Sequence, residues 1–471
     1  MAIPWISTAL NSTTFIKMKK IAFITLGCRV NQYETQTVRE AFQKAGYKEM
    51  SFDELCDIYF INTCAVTGES VRKARQMIRR ALRKKEEKPD AVICVCGCFS
   101  QGIWDQNDPL LSPVDVLAGN TQKGELASLL IRLAEKAPAE RKKLDLREDI
   151  SKVREYEESS LSRSHNARAF LKIEDGCNSF CSYCYVPLVR GRVRSRKEED
   201  IRSELCRLTE NGYREVVFTG IETGAWGTDL GTGESLVSLV EKLCDTKGLE
   251  RIRFGSLKPD LFTDDFCHRL AALPKVMPHF HLSLQSGSDD VLRTMGRRYS
   301  RADEEKAVDT IYRYFPDAGL SADIICGFPG ETEKDFLQSA DLLKKAKMLH
   351  THIFPFSPRE GTRAAKMPQT VSEEEKKIRC AHLLAVAKEE SAAFAEKRVG
   401  KSYDVLCERI RDGYFFGYTE NFVYTKTLAT KEHKVGSVYS VTLSEKKSFS
   451  VETMTVSANS HETVDNFGKS L

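Results

Sequence analysis

Three cysteines lie close together in the segment CNSFCSYCYVP, which runs from residue 177 to residue 187: Cys177, Cys181 and Cys184. This spacing lets three thiolates from one loop surround a metal centre, and thiolates select zinc, copper(I) or iron–sulfur clusters. A structural zinc site needs a fourth ligand nearby, but the next histidine in the chain is His268. A [4Fe–4S] cluster on three cysteines leaves one iron free to bind a substrate or cofactor. The segment therefore predicts a metal centre with one open position.

A second set of cysteines follows three apolar runs near the start of the chain. The runs KKIAFITLGC, DIYFINTCAV and AVICVCGC end at or near Cys28, Cys64 and Cys98. The carboxyl ends of parallel strands line the ligand crevice of an open α/β sheet, so these thiols are expected to converge there. The alternative is that they are small buried core residues. Cys94 and Cys96 are interpreted as core, although they share a strand face with position 98.

The elements that position these cysteines form three groups. Residues 19–130 alternate buried apolar runs with helical stretches, which predicts a parallel, doubly wound α/β domain. Residues 131–164 are polar and read as a linker with one helix. Residues 165–395 contain six further strand–helix repeats, among them AFLKIEDGC, EVVFTGIE and HFHLSLQSG. They predict an open, partial (β/α)6 barrel with its chemistry in the loops after the strands.

The C-terminal part has a different pattern. Residues 399–462 contain short aromatic and β-branched runs separated by glycine, such as GYFFGYTENFVYTKTL, which predict a small β-barrel. Residues 463–471 are a tail. At the other end, Met18 is a candidate translation start, and residues 1–18 are expected to be a disordered extension.

Composition narrows the class of protein. The chain has 471 residues, of which 41% are hydrophobic and 29% charged, as in ordinary globular proteins. No apolar run approaches the length of a membrane span, and the N-terminus lacks the pattern of a signal peptide, so a cytoplasmic location is expected. Without an export signal, the 15 cysteines are better explained as ligands and free thiols than as disulfides. The net charge is only +4, so nucleic-acid binding must be argued from local patches.

Taken in order, several motifs resemble the radical S-adenosylmethionine (SAM) methylthiotransferase family. They are LGCRVNQYET, INTCAV, GCFSQ, CNSFCSYCYVPLVRGRVRSR, HLSLQSGSDDVLRTMGR and DIICGFPGET, and they extend over nearly the whole chain from Lys19. The resemblance implies a [4Fe–4S] cluster on Cys177, Cys181 and Cys184, with SAM on the open iron as the source of a 5′-deoxyadenosyl radical. It also implies a second [4Fe–4S] cluster on Cys28, Cys64 and Cys98, where sulfur is delivered, and a C-terminal TRAM-like RNA-binding domain.

The resemblance also suggests residues that contact SAM. Gly220 and Glu222 in FTGIETG occur where the superfamily touches the amino group of the cofactor, although family members more often carry a smaller polar residue at position 222. Gln285 and Ser286 in LQSGS are further candidates. A strand-end turn explains Gly220 and Glu222 equally simply, whereas Gln285 and Ser286 are the better candidates, and no catalytic side chain is assigned.

The substrate prediction rests on the segment around the first cysteine of the second set, Cys28. LGCRVNQYET resembles the branch that acts on C2 of N6-threonylcarbamoyladenosine in tRNA, whereas the isopentenyladenosine branch tends to carry glutamine and methionine where Arg29 and Val30 stand. Expected partners are tRNA, an electron donor such as a flavodoxin or ferredoxin, and an unidentified sulfur donor, with no membrane. The alternatives are activity on isopentenyladenosine, activity on a ribosomal protein, and a non-catalytic, zinc-dependent RNA-binding protein.

RNA contact has support from the residues themselves. Residues 72–85 hold eight lysines or arginines in 14 positions, and RGRVRSR adds Arg190, Arg192, Arg194 and Arg196. Such patches can neutralise phosphates, but a solvated helix face and a salt-bridged loop are the competing interpretations. Aromatic residues of the C-terminal domain can stack on bases, and half of them are expected to be core: Tyr414, Phe415, Phe416, Tyr418, Phe422 and Tyr424.

Overall fold

The computed structural model describes residues 18–102, 108–164 and 166–444. The predicted N-terminal extension, apart from Met18, lies outside these residues, as do the predicted tail and the end of the C-terminal domain. No helix in the described ranges combines the length and apolar character needed to cross a membrane.

The N-terminal domain contains a six-stranded, all-parallel sheet. Its strands are β1 Lys20–Thr25, β2 Lys48–Glu49, β3 Ile58–Thr63, β4 Val92–Gly97, β5 Val116–Leu117 and β6 Leu144–Asp145, in the order β2-β1-β3-β4-β5-β6. Its helices are α1 Arg29–Lys44, α2 Gly68–Glu87, α3 Cys98–Gly102 and α4 Lys123–Glu135. The segment 131–164 thus includes the end of α4 and the edge strand β6.

Both faces of this sheet are buried. Alternate strand residues such as Phe60 and Val92 pack under α1 and α4, while Tyr59 and Ile93 pack under α2. A parallel sheet covered on both faces needs apolar residues at successive strand positions, which explains the continuous apolar runs in the sequence. The predicted doubly wound domain is confirmed.

The central domain is a partial barrel of six parallel strand positions. Its strands are β7 Ala169–Lys172, β10 Glu215–Thr219, β11 Arg251–Phe254 continued by β12 Ser256–Leu257, β13 His279–Gln285, β14 Gly319–Cys326 and β15 His350–Pro355; a small antiparallel pair, β8 Glu174–Asp175 with β9 Arg194–Ser195, follows β7. The helices are α5 Val186–Arg190, α6 Glu198–Glu210, α7 Leu236–Cys244, α8 Asp264–Ala271, α9 Asp289–Met295, α10 Arg301–Tyr314, α11 Glu333–Lys345 and α12 Glu373–Glu396.

The barrel is open between its first and last strands. Among the described residues β7 pairs only with β10, and β15 only with β14. The outer strand face carries the main apolar core, including Leu171 and Phe218. Helix α1 of the N-terminal domain lies beside β7, where the Tyr33 hydroxyl donates to Glu204 of α6 over 2.9 Å. The N-terminal domain therefore packs against the β7 edge of the barrel.

The C-terminal domain is a four-stranded antiparallel sheet within the described residues. Its strands are β16 Ser402–Arg411, β17 Tyr414–Tyr418, β18 Tyr424–Leu428 and β19 Val438–Thr442, in the order β18-β17-β16-β19. The sheet docks at the amino ends of the barrel strands. Arg253 of β11 donates to the carbonyl oxygens of Thr419 and Glu420, each over 2.8 Å, and Phe422 stacks on His279 with ring centroids 4.0 Å apart.

Candidate active site at the interface of two cysteine groups

The first cysteine group lies on the loop between β8 and α5. Gly176 starts this loop with φ +84°, and a Cβ there would lie 1.9 Å from the carbonyl oxygen of Arg192, so only glycine fits. Ser182 fixes the middle of the loop: its amide donates to the Met295 carbonyl over 2.7 Å, and its hydroxyl donates to the Thr294 carbonyl over 2.8 Å. The loop that carries Cys177, Cys181 and Cys184 is therefore held in place by the barrel.

The three thiols interact electrostatically, which shows that they lie close together. Burial, together with repulsion from the neighbouring thiolates of Cys181 and Cys177, raises the pKa of Cys184 to about 12. Arg297 donates to Cys181 Sγ over 3.4 Å, and the Ser179 amide donates to Cys177 Sγ over 3.4 Å. Buried thiolates need such donors and a cation, so the donor set fits a thiolate-bound cluster.

The second cysteine group lies at the carboxyl ends of three adjacent strands. Cys28 precedes α1 after β1, Cys64 follows β3, and Cys98 begins α3 directly after β4. A Cβ at Gly27 would lie 2.8 Å from Cys64 Cβ, so the β1 turn packs directly on that cysteine. Cys94 and Cys96, by contrast, are fully buried in the core under α1 and α4.

Electrostatic interactions also connect this second group. Burial, together with repulsion from Cys98 and Cys28, raises the pKa of Cys64 to about 12. Cys28 is exposed to solvent, and desolvation of its thiol by the surrounding protein raises its pKa. Asn120 joins the group to the barrel, since its amide nitrogen donates to Cys98 Sγ over 3.5 Å and to the Val189 carbonyl of α5 over 2.7 Å.

No three histidine, cysteine, aspartate or glutamate side chains within the described ranges meet as the ligands of a single metal ion do. A multinuclear cluster takes one thiolate on each of several irons, so its ligands need not converge on one point.

The residues predicted to contact SAM lie at the carboxyl ends of β10 and β13. A Cβ at Gly220 would lie 2.1 Å from Glu174 Oε1, so this turn requires glycine. Glu222 lies 3.9 Å from Cys177 Sγ and pairs with Lys258 over 2.9 Å. Gln285 has φ +74°, a strained conformation that glutamine rarely adopts. Ser286 is fully buried and accepts from the Ser288 amide over 3.2 Å, a contact within the turn itself.

A buried ion network joins the two domains between the cysteine groups. Glu34 of α1 accepts from Arg190 over 2.8 Å and from Lys172 over 3.0 Å, and it pairs with Lys123. Asp175 accepts from Lys172 over 2.7 Å and from Arg190 over 2.9 Å. Burial alone would raise the pKa of Glu34, but Arg190, Lys123 and Lys172 outweigh it and hold that pKa well below its usual range.

The predicted RNA contacts of RGRVRSR are wrong for three of its four arginines. Arg190 and Arg196 are fully buried and Arg194 nearly so, and Arg196 pairs with Glu204 over 2.6 Å. Only Arg192 is exposed, over the ring of Phe180. The segment contributes to the interdomain ion network instead of a phosphate-binding surface.

The basic helix α2 is also largely neutralised. Six of its eight basic residues pair with carboxylates: Arg72 and Lys73 with Glu69, Arg75 with Asp108, Arg80 with Asp53, Lys84 with Glu87, and Lys85 with Asp115. The solvated-face interpretation therefore fits most of this helix.

Of the six C-terminal aromatic residues, fewer than the predicted half are core: Phe415 is buried, and the other five are half-buried. Phe415 is buried with Val405 and Cys407. Tyr418 and Phe422 stack on each other and pack against the barrel. The strand face opposite Phe415, which also holds Tyr418, carries Tyr414, Phe416 and Tyr424, with Arg409 over the Phe416 ring at 4.7 Å and Lys426 over the Tyr414 ring at 4.1 Å. We call this set the aromatic strip.

The barrel interior contains polar residues that the sequence analysis did not single out. His281 contacts Asp323 over 3.1 Å and Ser321 over 2.8 Å, and its ring lies beside His352. Burial lowers the pKa of His352 to about 3, so it is neutral at physiological pH. The signal was available: histidines alternate in HFH and HTH, and a period of two places them on one strand face.

Comparison with known proteins identifies two family models in the chain. The Radical SAM superfamily model matches residues 171–343, and the model described as Uncharacterized protein family UPF0004 matches residues 20–119. The threonylcarbamoyladenosine tRNA methylthiotransferase MtaB of Bacillus subtilis is 34% identical, covering 90% of this chain and 93% of that protein. The MtaB protein of Aquifex aeolicus is 35% identical, covering 88% and 98%.

Two further comparisons describe the range of relatives. A tRNA-2-methylthio-N(6)-dimethylallyladenosine synthase from Pelotomaculum thermopropionicum is 34% identical, covering 85% of this chain and 90% of that protein. Among solved structures, the radical SAM methyltransferase TsrM from Kitasatospora setae superposes with a TM-score of 0.51 at 14% identity, covering 71% of this chain and 73% of that chain. At this identity the likeness concerns the fold alone.

Proposed function

Because the chain belongs to the radical SAM methylthiotransferase family, we propose that it adds a methylthio group to C2 of N6-threonylcarbamoyladenosine beside the anticodon of tRNA. Membership implies SAM and one [4Fe–4S] cluster, which fit Cys177, Cys181 and Cys184. A second cluster on Cys28, Cys64 and Cys98 belongs to the proposal.

The observation that carries this proposal is the position of the two cysteine groups on facing sides of one domain interface. Asn120 contacts both Cys98 and α5, and the Tyr185 hydroxyl, one residue after Cys184, donates to the Gly102 carbonyl at the end of α3 over 3.2 Å. A radical source and a sulfur source must act on one carbon, and positioning supplies much of the rate of such a reaction. An interface that fixes one group relative to the other meets this requirement.

The cofactor supplies a carbon-centred radical when it is bound to its cluster. The chain's own residues prepare the site around it. Arg297 donates toward Cys181 Sγ and thus stabilises a thiolate there, while Lys258 holds Glu222 beside Cys177.

RNA binding is attributed to the aromatic strip. Stacking of bases on Tyr414, Phe416 and Tyr424, with Arg409 and Lys426 near the phosphates, is typical of single-stranded RNA recognition. Anticodon-loop nucleotides are unpaired and offer their base faces for this purpose. The strip is contiguous with Tyr418, whose ring centroid lies 5.0 Å from that of Tyr424, so it leads toward the barrel.

The test compares two substrates with the purified, anaerobically reconstituted enzyme. It receives tRNA bearing threonylcarbamoyladenosine and, separately, tRNA bearing dimethylallyladenosine, and the nucleosides are analysed by mass spectrometry. We expect a methylthio product only from the first. Product only from the second would overturn the substrate assignment, and product from neither would overturn the tRNA assignment.

A further inference from the structure

The side chain of Arg29 crosses from the N-terminal domain into the barrel. It is the residue after Cys28, and its guanidinium lies 5.8 Å from the ring centroid of Phe170, which is on β7. Its electrostatic neighbours are residues of the other two domains: Arg168, Tyr418, Arg253 and Asp323. Arg29 thus extends from the second cysteine group toward the interior of the barrel.

No carboxylate in the described part of the chain neutralises this guanidinium. Arg29 makes no ion pair or side-chain hydrogen bond there, and its only close partner is the Phe170 ring. The nearby carboxylates have other partners. Asp323 binds His281 over 3.1 Å, and Glu215 is shared by three arginines, Arg253, Arg168 and Arg251, over 2.8, 3.2 and 3.4 Å.

The interior of the barrel therefore carries excess positive charge beside Cys28. A partly desolvated cation without a counter-ion favours an anionic ligand, because the ligand restores the charge balance that burial removed. A guanidinium binds a carboxylate through two parallel hydrogen bonds, whereas an apolar group gains nothing from it.

Resting on the proposed function, we propose that Arg29 binds the carboxylate of the threonylcarbamoyl substituent and thereby selects this adenosine over one that carries an apolar N6 group. Carbon C2 and carbon C6, which carries the exocyclic nitrogen N6, belong to the same pyrimidine ring of the base. When C2 lies at the second cysteine group, the N6 substituent therefore remains beside it, within the region that Arg29 spans between Cys28 and the barrel interior.

The test removes the charge from the substrate carboxylate and, separately, from Arg29. One tRNA carries threonylcarbamoyladenosine, and a matched tRNA carries the same group with its carboxylate converted to a primary amide. For the wild-type enzyme we expect kcat/KM for the acid to exceed that for the amide by about 10- to 100-fold, the range of a charge-assisted hydrogen-bonded pair. In Arg29→Met this preference should fall to near one, and Arg29→Lys should keep part of it.

Arg79→Met is the matched control, since Arg79 is an exposed arginine of α2 and its loss should leave the acid preference intact. If Arg29 contacted an RNA phosphate, Arg29→Met would lower kcat/KM for both tRNAs equally, and that outcome overturns the proposal. A wild-type acid preference near one overturns it without any variant, even if Arg29→Met fails to fold. If the wild-type enzyme modifies the acid-bearing tRNA and Arg29→Met keeps the same acid preference, the role of Arg29 is refuted but the proposed function stands. If the wild-type enzyme does not modify the acid-bearing tRNA, the proposed function is refuted as well.

Discussion

Substitution Glu34→Gln tests whether the interdomain ion network holds the two cysteine groups in place. Glu34 is the common partner of Arg190, Lys172 and Lys123, and its side chain is only 3% exposed. Glutamine keeps the shape of the side chain but removes the charge. Asp175 still neutralises Arg190 and Lys172, whereas Lys123 loses its carboxylate and keeps only neutral acceptors, such as the amide oxygen of Asn120 at 3.1 Å.

Removing one partner of a buried ion pair costs about 3–5 kcal/mol in the free energy of unfolding, since the remaining charge stays buried without compensation. Each kcal/mol lowers the melting temperature of a domain this large by about 2–4 °C, so we expect a decrease of about 6–20 °C. Differential scanning fluorimetry of the reconstituted enzyme measures it. The double substitution Glu34→Gln with Lys123→Met should recover part of the loss, because it removes the orphaned ammonium group.

Glu69→Gln is the control for this prediction. Glu69 pairs with Arg72 on the exposed surface of α2, where ion pairs contribute little, so its melting temperature should equal that of the wild type. Methylthiolation in Glu34→Gln should decrease more than SAM cleavage, because the barrel cysteine loop has its own anchors in Ser182. Equal melting temperatures for Glu34→Gln and Glu69→Gln would refute the structural role of the network.

Three further outcomes are expected. The reconstituted enzyme should hold about eight irons per chain, and about four should be lost when Cys177, Cys181 and Cys184 are all replaced by alanine. The control variant Cys96→Ala should keep all of its iron. Retention of all iron by the triple variant would contradict the ligand assignment. Replacing Cys28, Cys64 and Cys98 should abolish the methylthio product while 5′-deoxyadenosine still forms, and normal product would contradict the second cluster. Phe416→Ala should weaken tRNA binding about 5- to 150-fold, as the loss of one stacked base predicts. Phe415→Ala should instead destabilise the C-terminal sheet by about 3–5 kcal/mol. Unchanged tRNA affinity in Phe416→Ala would exclude the aromatic strip as an RNA-binding surface.

The strand pattern of this chain could be predicted because each buried strand is a short apolar run between turns. All six barrel strand positions and the three principal strands of the N-terminal sheet fall where these runs occur. The placement of Cys28, Cys64 and Cys98 at adjacent strand ends follows from the same rule, since carboxyl ends of parallel strands share one edge. The alternation of side chains along β4 does not show which of Cys96 and Cys98 is a core residue and which is a candidate ligand. The end of the strand at Gly97 distinguishes them, because Cys98 lies beyond it.

The roles of the arginines could not be predicted in this way. Arg190, Arg194 and Arg196 look like a phosphate-binding segment because nothing in the segment itself shows that carboxylates bury them. Arg196 pairs with Glu204, eight residues later, and Arg194 with Asp175, whereas Arg190 pairs with a residue of another domain. Glu34 precedes Arg190 by 156 residues, and it belongs to another domain. Local charge therefore gives no indication of whether an arginine is solvated, bound to RNA or buried in an ion pair. The barrel histidines of HFH and HTH could have been predicted, unlike the arginines, because their period of two alone places them on one strand face.

The chemistry of the interface explains why charges join these domains. Apolar surfaces tolerate small sliding movements, since dispersion and burial have little direction, whereas the hydrogen bonds of Arg190 to Glu34 and Asp175 fix both distance and angle. Arg190 ends α5, which begins two residues after Cys184, and Glu34 lies on α1, which begins directly after Cys28. The ion pair thus connects the two chain segments that carry the cysteines, and it controls the separation on which the proposed transfer of sulfur to carbon depends.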